Sequence, residues 1–259
     1  MPELKPVIET RGISKHYGHV EALRGVDLAL HAGEVVGLVG DNGAGKSTFV
    51  KILSGAIAPS GGEVLVDGEL AVFSSPTEAR VRGIEAVYQD LALALDLSIW
   101  ANVFLGQERR ARGLPGRFGW LDKRHMAAET QRELARIGLD LGRSDKPCRL
   151  LSGGERQAVA VARAVAWGTR VILMDEPTAS LAVEEQGRVE HLIYQIRDRG
   201  VPVLLVSHNL PEVHRICDRI VVLRLGRVVA DALPSQVSLS DIVMWITGAS
   251  DGQRNGQAR

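Results

Sequence analysis

The sequence predicts an α/β fold whose core is a mainly parallel sheet, with an N-terminal antiparallel β part and an inserted helical subdomain. Three observations predict it. Short branched-aliphatic runs crowd the first third of the chain, VIETRGI, VDLAL and EVVGLVG, and EVLVDG follows a Pro/Gly turn at residues 59–62. From about residue 89 to 151 the character changes to helix and irregular loop. Beyond that, helices alternate with strand-sized apolar runs: a helix from about 154 to 167, VILMD, a helix over 183–199, VPVLLVS, and the pair IVVLRLG and RVVAD. Such alternation is the pattern of a parallel sheet joined by right-handed helical crossovers.

Taken in order, EVVGLVG runs straight into a glycine-rich loop, and residues 46–53 then read as a helix. The middle of the chain carries IWANVFLG, an Arg/Gly-rich stretch around residues 109–117, and the amphipathic run DKRHMAAETQRELARIGL. The division expected is a core of about 1–88 and 164–231, a helical subdomain of about 89–163, and a C-terminal tail of about 232–259, together one domain over 1–259. No internal repeat or heptad pattern is visible, and only the final SDGQRNGQAR reads as disordered.

Composition narrows the classes of function. Lys plus Arg equals Asp plus Glu, 31 against 31, so no global basic field points to nucleic acid or to an anionic membrane. The apolar runs are far short of a membrane span, and MPELKPVIET lacks a signal-peptide pattern, so a cytoplasmic chain is expected. Cys148 and Cys217 have no metal-ligand spacing and are expected to be reduced and structural.

The chemistry begins at GDNGAGKST, residues 40–48, which fits G-x-x-x-x-G-K-[ST]. Gly40, Gly43 and Gly45 let the backbone curl so that the N–H groups of this loop, with Asp41, Asn42 and Ala44 between them, point at phosphates. The helix that follows adds the positive end of its dipole. Lys46 is placed to reach the β- and γ-phosphates, Ser47 to ligate Mg²⁺, and Thr48 closes the motif. VILMDEP adds a buried strand with Asp175 at its carboxyl end, suited to the Mg²⁺ shell, and Glu176 beside it, suited to act as general base for water. LSGGERQ, residues 151–157, sets Ser152, Gly153 and Gly154 at the mouth of a further helix, a second anion cradle in a chain whose first cradle already serves one nucleotide.

Together these motifs resemble the ATP-binding-cassette ATPases, whose signature motif is LSGGQ, and the resemblance covers nearly the whole chain. It implies ATP and Mg²⁺ as cofactors and a head-to-tail homodimer in which the signature of one subunit closes over the nucleotide held by the other. It also implies roles for three further residues: Tyr17 in KHYG stacking on adenine, Gln89 in VYQD as a metal ligand and link to the transport partner, and His208 in VSHN as the γ-phosphate contact. Lys46, Gln89, Glu176 and His208 would form the catalytic set.

Two departures stand out. The signature carries Glu155 where many relatives have Gln, and this carboxylate is expected to turn toward cations such as Arg156. In PTASLAV, Ala182 stands where the family usually has an aspartate.

Within the family, GDNGAGKST, YQDLALALDLSIWANVFLG, SHNLPEVHRICDRIVVLRLGRV and DIVMWITGAS are similar to the ATPases of ribose, xylose and fructose importers. The resemblance implies ATP-driven monosaccharide import through integral membrane permease subunits, fed indirectly by a periplasmic sugar-binding protein, with this chain peripheral on the inner face of the cell membrane. The competing class is a soluble cassette ATPase acting on nucleic acid or ribosomes; those carry a basic surface, a long coiled coil or a second cassette, none of which is seen, so no nucleic-acid partner is expected.

Overall fold

The computed structural model describes residues 5–88, 91–136, 140–179 and 181–250. It divides into two compact units, one of residues 1–87, 167–177 and 193–259, the other of residues 88–166 and 178–192.

The first unit begins with β1 (Ile8–Tyr17) and β2 (Val20–Leu30), whose burial alternates along each strand as expected where one face of a sheet meets a core. β3 (Val35–Val39) is buried at all five positions and leads into α1 (Lys46–Leu53). After these come β4 (Gly61–Val66), β5 (Glu69–Leu70), α2 (Pro76–Val81) and β6 (Ile84–Val87). β2, β1, β4 and β5 form an antiparallel sheet in that order.

The chain then enters the second unit. There it forms α3 (Ile99–Val103), α4 (Leu114–Arg117), α5 (Lys123–Arg136) and α6 (Gly153–Trp167). α5 realises the amphipathic run and buries Met126, Thr130 and Leu134. Asn102 of α3 is fully buried; its side chain bonds the backbone of Ala94 in both directions and reaches the Cys148 thiol.

The remaining elements are β7 (Val171–Asp175), α7 (Val183–Asp198), β8 (Val203–Val206), α8 (Leu210–Ile216), β9 (Arg219–Arg224), β10 (Arg227–Ala232) and α9 (Leu239–Thr247). The second sheet of the first unit has the order β10-β9-β3-β8-β7-β6, parallel throughout except for the β9–β10 hairpin at one edge. Its inner strands read VVGLV, VILM and VLLV because both faces of a covered parallel sheet are apolar. Beside it Arg219 binds Glu34 at 2.6 Å and Asp231 at 2.8 Å, fixing β9 to the segment before β3 and to β10. Burial opposes both charges, yet Arg219 still holds Glu34 below the usual carboxylate range, while Asp231 is raised because its burial outweighs the same cation.

Cys148 and Cys217 are free and buried, one in each unit, and burial pushes both thiols up. Except for Ser250, the terminal stretch expected to be disordered lies outside the described residues. Among the described residues no helix is long and apolar enough to cross a membrane.

Candidate functional site: a phosphate loop and a signature helix

In the first unit, β3 delivers the chain at the carboxyl edge of the parallel sheet, and the loop over residues 40–45 turns it into α1. Two glycines are required there by shape: at Gly40, with φ +154°, a Cβ would lie 2.1 Å from the Leu223 carbonyl oxygen, and at Gly45, with φ +110°, 2.6 Å from that of Ala22. Ala44 is buried, while Asp41, Asn42 and Gly43 stand exposed at the crest, where the Asp41 carboxylate accepts the Asn42 N–H at 2.7 Å. α1 has no side-chain cap and no acidic residue in its first turn, so its leading N–H groups and dipole end stay available for an anion.

The Lys46 ammonium folds back onto the loop, donating to the carbonyls of Gly40 at 2.7 Å and Asp41 at 3.0 Å. Burial lowers its pKa, and the carboxylates of Glu176, Asp175 and Asp41 offset part of that effect. Asp175, at the end of β7, is raised by burial and further by Glu176; a hydrogen bond from Ser47 and the charges of Lys46 and Lys51 work the other way. A half-buried carboxylate whose charged form is disfavoured by burial would be relieved by a further cation, and the Ser47 hydroxyl beside it is a hard oxygen ligand, so Ser47 and Asp175 fit a magnesium site. Thr48 follows, half-buried, in the first turn of α1.

Glu176 adopts φ +52°, a left-handed conformation uncommon for a long side chain and a mark of functional sites. Its N–H is fixed by the Val206 carbonyl at 2.8 Å, and its Oε1 lies 3.0 Å from Nδ1 of the exposed His208. The structure thus brings Lys46, Ser47, Asp175, Glu176 and His208 into one connected group. Tyr17, at the end of β1, is 48% exposed with Lys15 Nζ 5.4 Å from its ring centre, and among the described residues it adds no hydrogen bond or ion pair to that group. Gln89 lies outside the described residues.

In the second unit, Ser152 immediately precedes α6. Its hydroxyl accepts the Glu155 N–H at 3.1 Å, and the Glu155 carboxylate accepts the Ser152 N–H at 2.7 Å. This reciprocal pair is a capping box, and it corrects the expectation that Glu155 turns toward Arg156: the carboxylate is stabilised at the helix N-terminus itself, through one backbone N–H and the dipole.

Sequence reasoning also missed Glu185, in the first turn of α7. Its Oε1 accepts the Ser152 hydroxyl at 3.4 Å and its Oε2 the Ala182 N–H at 3.3 Å. It lies so close to the buried Gly154 that a Cβ there would sit 2.2 Å from the Glu185 carboxyl carbon. Among the described residues, the N–H groups of Gly153 and Gly154 have no hydrogen-bond partner. Arg163, further along α6, donates to the carbonyls of Leu91 and Ala92, both at 3.2 Å, and so ties this helix to the segment just after residue 90.

A parallel sheet with a phosphate loop after one strand and an acidic pair ending another defines a nucleotide-binding α/β protein of the phosphate-loop class. Residues 23–179 match the ABC transporter family, and the chain belongs to it. It is 45% identical to the fructose import ATP-binding protein of Rhizobium meliloti over 98% of each chain, and 39% identical to the xylose/arabinose import ATP-binding protein of Sulfolobus acidocaldarius over 97% of this chain and 98% of that one. The ribose import ATP-binding protein RbsA 2 of Escherichia coli O157:H7 is 38% identical over 94% of this chain, which spans 47% of its length.

Among solved structures, a nucleotide-free ATP-binding cassette from an ABC transporter shares the fold with TM-score 0.80 at 24% identity, covering 92% of this chain and 97% of that one. A dimeric ATP-binding cassette bound to ADP and Pi aligns with TM-score 0.74 at 26% identity, covering 88% of this chain and 98% of that one.

Proposed function

We propose that this chain is the ATP-hydrolysing subunit of an importer for a monosaccharide, working as a homodimer on the cytoplasmic side of membrane permease subunits that receive sugar from a periplasmic binding protein. The observation that carries the hydrolytic reading is the connected group of Lys46, Ser47, Asp175, Glu176 and His208 beside an uncapped helix N-terminus. The sugar assignment rests on full-length relatives named for fructose and for xylose/arabinose import.

In this reading the backbone of residues 40–45 and the N-terminus of α1 hold the phosphates of ATP, Lys46 leaves its two carbonyl acceptors for the β- and γ-phosphate oxygens, and the Tyr17 ring stacks on adenine. Ser47 and Asp175, joined by Gln89, hold Mg²⁺, which when bound supplies neutralisation of phosphoryl charge. Glu176 takes the proton of the attacking water as its oxygen bonds to the γ-phosphorus and the bond to the bridging oxygen breaks, giving ADP and phosphate. His208 orients the Glu176 carboxylate before reaction and contacts the γ-phosphate during it. Ser152, Gly153 and Gly154 meet the phosphates held by the partner subunit through the N–H groups of the two glycines.

The shared site is tested by mixing two inactive variants. Lys46→Ala removes the phosphate-holding charge and Ser152→Arg blocks the signature, so each homodimer should be inactive. A mixed dimer regains one whole site, and with random pairing and independent sites the hydrolysis rate should recover to roughly a quarter of wild type. Activity in either variant alone would overturn the shared-site reading, whereas no recovery once mixed dimers are demonstrated would mean that hydrolysis needs both sites together.

A further inference from the structure

The Arg/Gly-rich stretch of the second unit has no part in that reading. Residues 109–124, RRARGLPGRFGWLDKR, hold six Lys and Arg against one Asp, in a chain whose Lys plus Arg and Asp plus Glu totals are equal at 31 each. Arg109 is paired with Glu129 at 2.9 Å and lies over the Phe104 ring at 5.8 Å. The other five cations, Arg110, Arg112, Arg117, Lys123 and Arg124, are exposed and make no ion pair among the described residues.

Between these cations stand Leu114, 70% exposed, Phe118, 80%, and Trp120, 70%. Side chains of this size are rarely presented together to water without a purpose.

The loop is built to present them. Arg110 and Leu121 form an antiparallel bridge, with the Ala111 N–H bonded to the Trp120 carbonyl at 2.7 Å and the Asp122 N–H to that of Arg109 at 2.8 Å. At the tip the Phe118 and Trp120 N–H groups both bond to the Pro115 carbonyl at 3.1 Å. The rings are therefore held outward by a closed, hydrogen-bonded loop, and a cleft of about 610 Å³ opens beside Trp120 against Lys123 and Arg124.

An indole with one polar edge beside a phenyl ring and a leucine, ringed by long cations with no ion-pair partner among the described residues, matches the interface of a bilayer bearing anionic headgroups. There the rings sit at headgroup depth, and Lys and Arg reach the phosphates while their methylene stems stay in apolar surroundings. Among the described residues no carboxylate pairs with these five, so their charge is left for a bound anionic surface.

We propose that residues 109–124 form a docking surface for an anionic lipid bilayer, with Phe118, Trp120 and Leu114 entering the headgroup region and Arg110, Arg112, Arg117, Lys123 and Arg124 binding lipid phosphates. The surface does not depend on the composite nucleotide site.

The test is sedimentation of the full chain with vesicles of phosphatidylcholine alone or mixed with phosphatidylglycerol, without nucleotide. Wild type should bind the mixed vesicles, release at raised salt and leave pure phosphatidylcholine vesicles in solution. The double variant Phe118→Ser/Trp120→Ser and the double variant Arg112→Glu/Arg117→Glu should each bind at least about tenfold more weakly while keeping wild-type ATP hydrolysis, which shows that they fold. Brominated lipid should quench the tryptophan emission of wild type and spare that of Trp120→Phe. Failure of wild type to bind phosphatidylglycerol vesicles, or full binding by either double variant, would overturn the proposal. Loss of permease assembly by the variants when wild type ignores vesicles would likewise overturn it and assign the surface to the permease.

Discussion

The capping box at the signature helix makes a prediction in which stability and activity move in opposite directions. Glu155→Gln keeps an oxygen for the Ser152 N–H, now accepted at 2.7 Å, and removes only the charge, a loss of about 0.5 kcal/mol from the helix dipole. Glu155→Ala removes the charge-assisted bond as well, about 1.5 kcal/mol in all for a half-exposed site. At about 2–4 °C per kcal/mol for a chain of this size, Tm should fall by roughly 1–2 °C for Gln and 3–6 °C for Ala. In contrast, the Gln variant has one negative charge fewer beside the N–H groups of Gly153 and Gly154, which have no partner among the described residues. Combined with Glu176→Gln to stop hydrolysis, it should form ATP-dependent dimers at lower ATP concentration than the Glu176→Gln parent. Circular dichroism melts without nucleotide and light scattering across an ATP titration read the two effects. An Ala variant that melts with wild type, or a Gln variant that melts with Ala, would refute the capping argument; a Gln variant needing more ATP would refute the charge argument.

Three further outcomes are expected. Glu176→Gln should keep ATP binding and slow hydrolysis at least about a hundredfold; a loss of only a few-fold would move the general base to His208. Tyr17→Phe should bind ATP as wild type does and Tyr17→Ala more weakly, because stacking uses the ring face; an alanine variant that loses only thermal stability would make Tyr17 a packing residue. Arg219→Ala should cost about 3 kcal/mol in urea unfolding near neutral pH, since it leaves the carboxylates of Glu34 and Asp231 uncompensated. Glu34 is held below its ordinary range, so its contribution is present above that range and lost as pH falls through its lowered value. The Arg219→Ala deficit should therefore shrink in acid, and an equal deficit at both pH values would refute the ion-pair account.

What could be read from the sequence was whatever chemistry fixes at short spacing. The phosphate loop is legible because each of its glycines answers a local need, and the parallel strands because burial on both faces writes continuous apolar runs. Glu155 was legible too: Ser152 and Glu155 stand in the S-x-x-E spacing of a capping box. Reading the carboxylate as a partner for Arg156 overlooked that helical neighbours point to different sides. The same spacing, Ser238 to Asp241, caps α9, whose end is marked by Gly248 in the left-handed region. Glu185 could not be found this way, because it reaches Ser152 across 33 positions, and Arg163 reaches Ala92 across 71. Such contacts are set by how α6 and α7 pack, which no local pattern encodes.

The two helix N-termini of the proposed site are prepared for opposite conditions. α1 begins without a side-chain cap or an acidic neighbour, and its loop is spanned by a lysine whose ammonium rests on backbone carbonyls, so it stands ready for phosphate in a single chain. α6 begins under two carboxylates of its own unit. A bare second terminus would attract any free anion; one covered by Glu155 and Glu185 repels it. The two covers differ in strength. Glu155 is held at 2.7 Å by a backbone N–H within a capping box, whereas both Glu185 bonds, at 3.4 and 3.3 Å, are at the long limit for hydrogen bonding. The weaker cover is also the one packed against Gly154. On the shared-site reading, Glu185 is therefore the group that yields when a partner's triphosphate arrives, and Glu155 stays to keep the helix end in shape.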